Sequence, residues 1–371
     1  MKRKIVKAVF SIVLFLACVT STLGQVRQER DFNKSFQIPE DGKIEIINKY
    51  GEIIVRTWDS DSVRFDVLVR AEGRNSDVVN KSMQRVDIKF RKVGRVVSAV
   101  TEVSKGRGFF GNVASEVSGV MGSNKLKINY EVWLPEGVLL SVENKYGDVY
   151  LADMDAKVDI DVSHGDIKAG DISKSLNLKH SYGKTSFGKV ESIIGTLRSS
   201  ESYFEEVNSI NIESGSSDIR IDKASKTQFN SRNDEIVLLD VFEVMCEGSF
   251  TDLTAELIRG SARLDFSYGD IYLSRIEKNF NTIDITGKST DINLILNQAS
   301  YIKTFIKGPE EKMILPNSML LMKKELFDDG RISLSGDVGN TNTEHSQLVI
   351  NAEDGELIIA IKETSLFSDR D

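Results

Sequence analysis

Asn144-Lys145-Tyr146-Gly147-Asp148-Val149-Tyr150-Leu151 and Phe266-Ser267-Tyr268-Gly269-Asp270-Ile271-Tyr272-Leu273 carry the same turn followed by the same short strand. Weaker copies fill the interval between them. Aligned on the glycine, they fall at 147, 165, 183, 202, 217, 234, 251, 269 and 290, so the steps are 18, 18, 19, 15, 17, 17, 18 and 21. The next position holds Asp148, Asp166, Lys184, Tyr203, Asp218, Glu235, Asp252, Asp270 and Asp291. The one after is apolar in eight of nine copies, with Thr185 the exception. Two residues further stand Leu151, Ala169, Phe187, Glu206, Ile221, Leu238, Ala255, Leu273 and Leu294, so Glu206 interrupts an otherwise apolar column. Repeats of this length cannot bury an apolar face alone, so they stack, each pairing with its neighbours as parallel strands about 4.8 Å apart. The pattern therefore predicts an all-β chain: a right-handed parallel β-helix, or solenoid, with rungs of about 18 residues. Glycine is expected to supply the left-handed bend at each corner. Only four prolines occur in the chain, as a ladder of backbone donors requires. The competing arrangement is an antiparallel meander in a β-sandwich.

Outward from the repeat, residues 138–296 form the predicted solenoid, and 26–137 read as a smaller β-rich domain before it. Val63-Arg64-Phe65-Asp66-Val67-Leu68-Val69-Arg70 alternates apolar and polar, the period of a half-buried strand. Residues 76–85 suit one or two helical turns, and the Gly/Ser-rich stretch 104–124 reads as a loop. Residues 297–371 read as the solenoid end and cap. There Lys312–Pro316 and Met319–Met322 offer an apolar patch to close the coil, and Leu348–Ala360 returns to the repeat pattern. The tail 365–371 is expected to fray.

The amino terminus reads as an export signal. Met1-Lys2-Arg3-Lys4 is basic, Ile5–Ala17 is largely apolar, and Thr22-Leu23-Gly24 offers a cleavage site, giving a signal peptide over 1–24. Phe15-Leu16-Ala17-Cys18 also resembles a lipobox, so a lipid anchor at Cys18 stands beside soluble export to periplasm, cell surface or medium. No later stretch has the length of a transmembrane helix. Cleavage after Gly24 would leave Cys246 as the single cysteine, excluding an intramolecular disulfide. A net charge of −8 argues against nucleic acid and against adsorption to anionic lipid.

The paired corners Asn48-Lys49-Tyr50-Gly51 and Asn144-Lys145-Tyr146-Gly147-Asp148-Val149, with the strand Tyr130-Glu131-Val132-Trp133-Leu134-Pro135, carry a family likeness. Over roughly residues 40–362 the chain resembles the exported "putative adhesin" family of bacterial β-solenoid proteins. That resemblance implies surface attachment and no catalytic residues, and Lys184-Thr185 and Tyr203-Phe204 depart from its Gly-Asp-apolar pattern.

Two columns are candidate sites. Asp218, Glu235, Asp252, Asp270 and Asp291 on successive rungs would suit calcium, which takes carboxylate oxygens, whereas acidic residues also simply favour solvated turns. These turns lack the Gly-Gly-x-Gly-x-Asp pattern of calcium-binding β-rolls. Tyr146, Tyr150, Tyr268 and Tyr272 would present rings to sugars of a surface polysaccharide or another envelope component, or else pack as a stiffening ladder. His164 and His180, on adjacent rungs, admit a metal pair or solvated corners, and Cys246 reads as buried and inert. No cofactor fingerprint or nucleophile elbow is present. The expectation is an exported, non-enzymatic, adhesin-like solenoid with a binding or structural role at the cell envelope or outside the cell; the alternative is a carbohydrate-active β-helix enzyme, a polysaccharide lyase or hydrolase, using paired carboxylates.

Overall fold

The computed structural model describes residues 25–104, 125–298, 300–339 and 346–362. The signal peptide, Cys18, the Gly/Ser-rich loop beyond Ser104, His345 and the tail 365–371 lie outside the described residues. The chain is all-β and solenoid-like, and it divides into two compact units. Within the described residues the smaller unit comprises 25–31, 68–87, 102–104 and 125–128. It holds the helix Ser76–Gln84, where the sequence allows one. Asn75 starts the helix by accepting a hydrogen bond from the Val78 amide at 3.0 Å, and Val79 and Met83, one turn apart, are its buried residues.

The larger unit contains the coil, whose rungs pair in parallel. Leu140–Lys145 lies in register with Val158–Ser163, which lies in register with Leu176–Ser181. Beyond Ile172 the strands lengthen: Ile172–Gly215 runs through the corners at Tyr182 and Ser199, and later strands run through those at Tyr268 and Ser289 but break at Ser216, Asn233 and Phe250. Asp218–Arg232 pairs with the preceding coil and with Glu235–Ser249, then Asp252–Leu273 and Thr282–Asn297 follow.

The register corrects the alignment in the middle of the repeat. Glu201 pairs with Asp218 and Ser202 with Ile219, so Ser200, not Ser202, occupies the glycine position. The steps after 183 are then 17 and 17 (183, 200, 217) in place of 19 and 15. Asn208 reaching Glu191, Lys184 pairing with Glu201 and the stack of Phe187 on Phe204 all span 17 residues. With this register Phe204 replaces Glu206 in the second inward column, which becomes apolar throughout. Glu206 instead pairs outward with Lys223 at 3.1 Å. Tyr203-Phe204 misleads because it copies the polar-then-apolar order of a corner from within a strand.

The coil also starts earlier than residue 138. Lys43–Lys49 pairs in register with Leu139–Lys145, and Ile53–Val55 with Val149–Leu151, so Tyr50-Gly51-Glu52 is a corner of the same stack. On its other side Ile53–Thr57 pairs with Tyr130–Leu134. At the far end Ser346–Ala352 lies between Thr282–Gly287 and Ile302–Lys307, parallel to both. The final rung thus sits between two that precede it in sequence. Antiparallel pairing of Ile302–Pro309 with Arg331–Val338, and of that strand with Lys323–Leu326, covers the outer rung. In the expected apolar cap Met319 is buried, whereas Leu320 and Leu321 face solvent.

The corners aligned on the repeat share one backbone state. Among the described residues ten non-glycine residues have positive φ: Tyr50, Tyr146, His164, Tyr182, Ser199, Ser216, Asn233, Phe250, Tyr268 and Ser289. Each stands immediately before the glycine position, so the left-handed bend is supplied there; of the aligned glycines, Gly269 alone also has a positive φ, at 147°. The glycine answers a different need. A Cβ on Gly165 would lie 2.0 Å from the Gly147 carbonyl oxygen, and one on Gly147 equally close to that of Gly51. One rung's carbonyl occupies the space a side chain would fill on the next.

Gly165→Ala should therefore lower stability by about 2 kcal/mol or more. Gly137→Ala, whose Cβ meets nothing within 4 Å, should change it little. Urea unfolding of the two variants against the parent checks both.

Candidate functional site

The left-handed corners project outward and stack. Tyr50 lies on Tyr146 with ring centroids 5.6 Å apart, Tyr146 on His164 at 5.0 Å, and His164 on Tyr182 at 4.6 Å, all within 11° of parallel. Phe250 and Tyr268 form a second stack at 5.0 Å. In-register strands place equivalent side chains one strand spacing apart, close to the stacking distance of aromatic rings. Of the candidate tyrosines, the structure puts Tyr146 and Tyr268 in this column, in separate stacks. Tyr150 and Tyr272 lie on the strands after the corner, outward, opposite Lys168 and Asn293. The charge of Asp148, then burial and Glu52, hold the Tyr150 phenol above its ordinary pKa. Phe250 escaped the sequence reading because no tyrosine or glycine marks its corner; its place one residue before the repeat position Thr251 is the signal that finds it.

The acidic column lies one position beyond the glycine and bonds to the rung above. The Asp148 carboxylate accepts the Asp166 amide at 2.9 Å, Asp166 that of Lys184 at 2.8 Å, Asp252 that of Asp270 at 3.0 Å, and Asp291 that of Glu356 at 2.8 Å. These are charge-assisted links between rungs. Asp218 and Glu235 occupy the same column, paired in register with each other and with Glu201 and Asp252. Burial, then the charges of Asp252 and Asp291, raise the pKa of Asp270. Among the described residues no group of three or more His, Cys, Asp or Glu side chains is arranged to hold a metal ion. A second corner repeats the device unseen in the alignment: Asp153 accepts the Asp171 amide and Asp171 that of Lys189, both at 2.8 Å. Its signal is the 18-residue recurrence of Asp153 and Asp171.

Polar groups inside the coil are mostly committed. The Asp234 carboxylate accepts from the Ser217 amide at 2.7 Å, the hydroxyls of Ser214 and Ser231 at 2.6 Å each, and the Arg232 amide at 3.1 Å. His164 and His180 do not converge, since His164 stacks outside and His180 is buried. His180 Nε2 donates to the Gly165 carbonyl at 2.9 Å, which leaves Nδ1 without a partner among the described residues. Burial, opposed by the Gly165 contact and Asp166, holds this imidazole below its ordinary pKa. Burial, with Asp234 and Glu247 adding, pushes the Cys246 thiol up, consistent with an inert side chain. In the smaller unit a polar hollow of about 130 Å³ is lined by Arg70, Glu72, Lys125 and Lys127, below the usual size of a ligand pocket.

Three tests follow from this geometry. Asp252→Ala should cost about 0.5–1 kcal/mol by removing the exposed bond to the Asp270 amide. Because Asp252 and Asp291 already hold backbone donors and the column forms no metal-ligating group among the described residues, millimolar calcium against chelator should move the melting temperature by no more than about 1 °C; a shift of several degrees would establish a calcium site. For His180, the folded state favours the neutral ring. Its stabilising contribution is present above the unfolded value near 6.5 and is lost as pH falls below it. Melting temperature should therefore fall more steeply with acidification in the parent than in His180→Asn, which installs the residue found at the equivalent positions 48 and 144.

The sequence profile of the family described as Toastrack DUF4097 matches residues 42–307. No curated protein matches the chain. Among solved structures, a "putative adhesin" from Parabacteroides distasonis is 12% identical, covering 72% of this chain and 93% of its own, with a TM-score of 0.28. Another "putative adhesin", from Bacteroides fragilis, is 12% identical, with coverage of 71% and 97% and a TM-score of 0.32. A "putative lipid binding protein" from P. distasonis is 10% identical, with coverage of 71% and 96% and a TM-score of 0.31. The profile match spans most of the chain, including the corners from Tyr50 to Ser289, and the chain belongs to the Toastrack DUF4097 family.

Proposed function

We propose that the protein is an exported, non-enzymatic, adhesin-like solenoid that binds a surface polysaccharide or another component of the cell envelope. Its coil is right-handed, the hand that twisted parallel strands favour in their crossovers. The observation that carries this reading is the outward column of rings at the left-handed corners, from Tyr50 to Tyr182 and again at Phe250 and Tyr268. Exposed rings at the ends of the stacks recur along the coil at multiples of the strand spacing, so a repetitive polymer meets several weak contacts in register, and affinity comes from their number. The acids that a lyase or hydrolase would need do a different job. Asp148, Asp166, Asp252 and Asp291 each hold the rung above, which supports binding over catalysis. The neighbours described as adhesins agree with this role by name only.

The labelled full chain should bind whole bacterial cells or isolated envelopes. Periodate, which cleaves sugar diols, should remove that binding if polysaccharide is the partner, and protease should remove it if the partner is protein. Release of reducing or unsaturated sugar ends from envelope polysaccharide on incubation would overturn the non-enzymatic reading. Absence of retention on every envelope fraction would overturn the adhesin-like one.

A further inference from the structure

The ring column has covered faces and open ones. Tyr146 has Tyr50 against one face and His164 against the other, and His164 is enclosed by Tyr146 and Tyr182. Only the edges of these interior rings meet solvent, so they cannot stack on anything else. The first stack ends at Tyr182 and the second begins at Phe250; the three corners between them are Ser199, Ser216 and Asn233. Tyr182 is 56% exposed and Phe250 55%, against 47% for Tyr268. Four rung steps at about 4.8 Å put the two terminal rings roughly 19 Å apart, each turning an open face along the coil axis toward the other.

Polar side chains surround the break. Ser199 and Ser216 contribute hydroxyls and Asn233 an amide, whose nitrogen lies 3.4 Å from the Ser216 hydroxyl. Arg198 and Arg232 precede Ser199 and Asn233 in the chain, and Arg198 stands 3.9 Å from Glu213. Glu201, Asp218 and Glu235 flank the same corners on the other side. This acidic row would repel an anionic ligand but not a neutral one. A pyranose ring joins an apolar C–H face to a rim of hydroxyls, and that combination matches an open aromatic face beside hydroxyl, amide and guanidinium groups.

Resting on the surface-binding reading above, we propose that this break is a carbohydrate subsite for neutral glycans. One pyranose ring stacks on the open face of Tyr182 above Ser199, and another on the open face of Phe250 beside Asn233. The sugar hydroxyls bond to Ser199, Ser216 and Asn233. Tyr146, the clearest ring in the sequence, serves the coil and not the ligand.

The test fills the break without removing an aromatic residue. Ser199→Tyr together with Asn233→Tyr adds a ring to each open face, at corners whose backbone already accepts tyrosine elsewhere in the column. The full chain, this double variant, Tyr182→Ser/Phe250→Ser and Tyr146→Ser are applied to immobilised neutral glucans, mannans and galactans and to polymers bearing uronic acids, with melting temperatures as a folding control. The parent should be retained on at least one neutral polymer. Both double variants should bind about tenfold more weakly or worse, the tyrosine-filled one without loss of melting temperature, and Tyr146→Ser should bind like the parent. Parent-like binding by both double variants would overturn this site and leave the surface-binding reading intact. Retention on uronic-acid polymers alone would overturn the neutral ligand. Binding to no glycan, with protease-sensitive binding to cells, would overturn the carbohydrate subsite while preserving adhesion.

Discussion

The hydrogen bond at each left-handed corner is the interaction on which the coil depends. The corner residue donates its amide to a carbonyl of the next rung: Tyr50 to Lys145 at 2.8 Å, Tyr146 to Ser163 at 2.9 Å, Asn233 to Ser249 at 2.9 Å, and Phe250 to Ser267 at 2.9 Å. A non-glycine residue in this conformation costs about 1–2 kcal/mol. One such hydrogen bond returns about 0.5–1.5 kcal/mol and one stacked ring pair a similar amount. Neither alone offsets the bend securely, so large aromatic corners occur where they stack. Where they do not, serine or asparagine takes the corner, and asparagine tolerates the left-handed region better than most residues.

The bend fixes what the flanking positions do. It brings one rung's carbonyl against the next rung's Cα, which demands glycine at 147, 165 and 183, or a small polar residue turned into the core such as Ser217 or Thr251. At Asp148, Asp166, Asp252 and Asp291 the following acid then lies under the amide of the rung above and binds it. Beyond it the strand alternates inward and outward, and Val149, Ile167, Ile219, Ile236, Leu253, Ile271 and Ile292 fill the core. Core, acid ladder and ring ladder are three faces of one repeated constraint.

The sequence made the coil legible because the constraint recurs with little variation in Tyr146-Gly147-Asp148 and Tyr268-Gly269-Asp270. It was least legible where other residues meet the same constraint. Arg198-Ser199-Ser200-Glu201 satisfies the corner without glycine or aromatic ring, so the alignment slid to Ser202 and made Glu206 look like a break. The coil's first rungs were hidden because the chain leaves the stack after Thr57 and returns in two separate pieces, Val96–Val100 against Lys43–Ile47 and Tyr130–Leu134 against Ile53–Thr57, which is a matter of topology that no local pattern records. Of the candidate site, the tyrosine column was visible. Which ring faces are open was not, since that depends on what stacks on either side. The carboxylates' backbone partners were likewise invisible, because each lies one rung away.

The central claim is the register, and a cross-link reads it most directly. With both native cysteines replaced by serine, Glu201→Cys and Asp218→Cys occupy paired positions on adjacent rungs. Paired strands place such residues at about the 4.4–6.8 Å Cα separation that a disulfide spans. The account predicts that mild oxidation closes this intramolecular bond in the folded chain and that Tyr203→Cys with Asp218→Cys stays reduced. The reverse outcome would contradict the register, and with it the placement of every corner from Ser199 to Asn233.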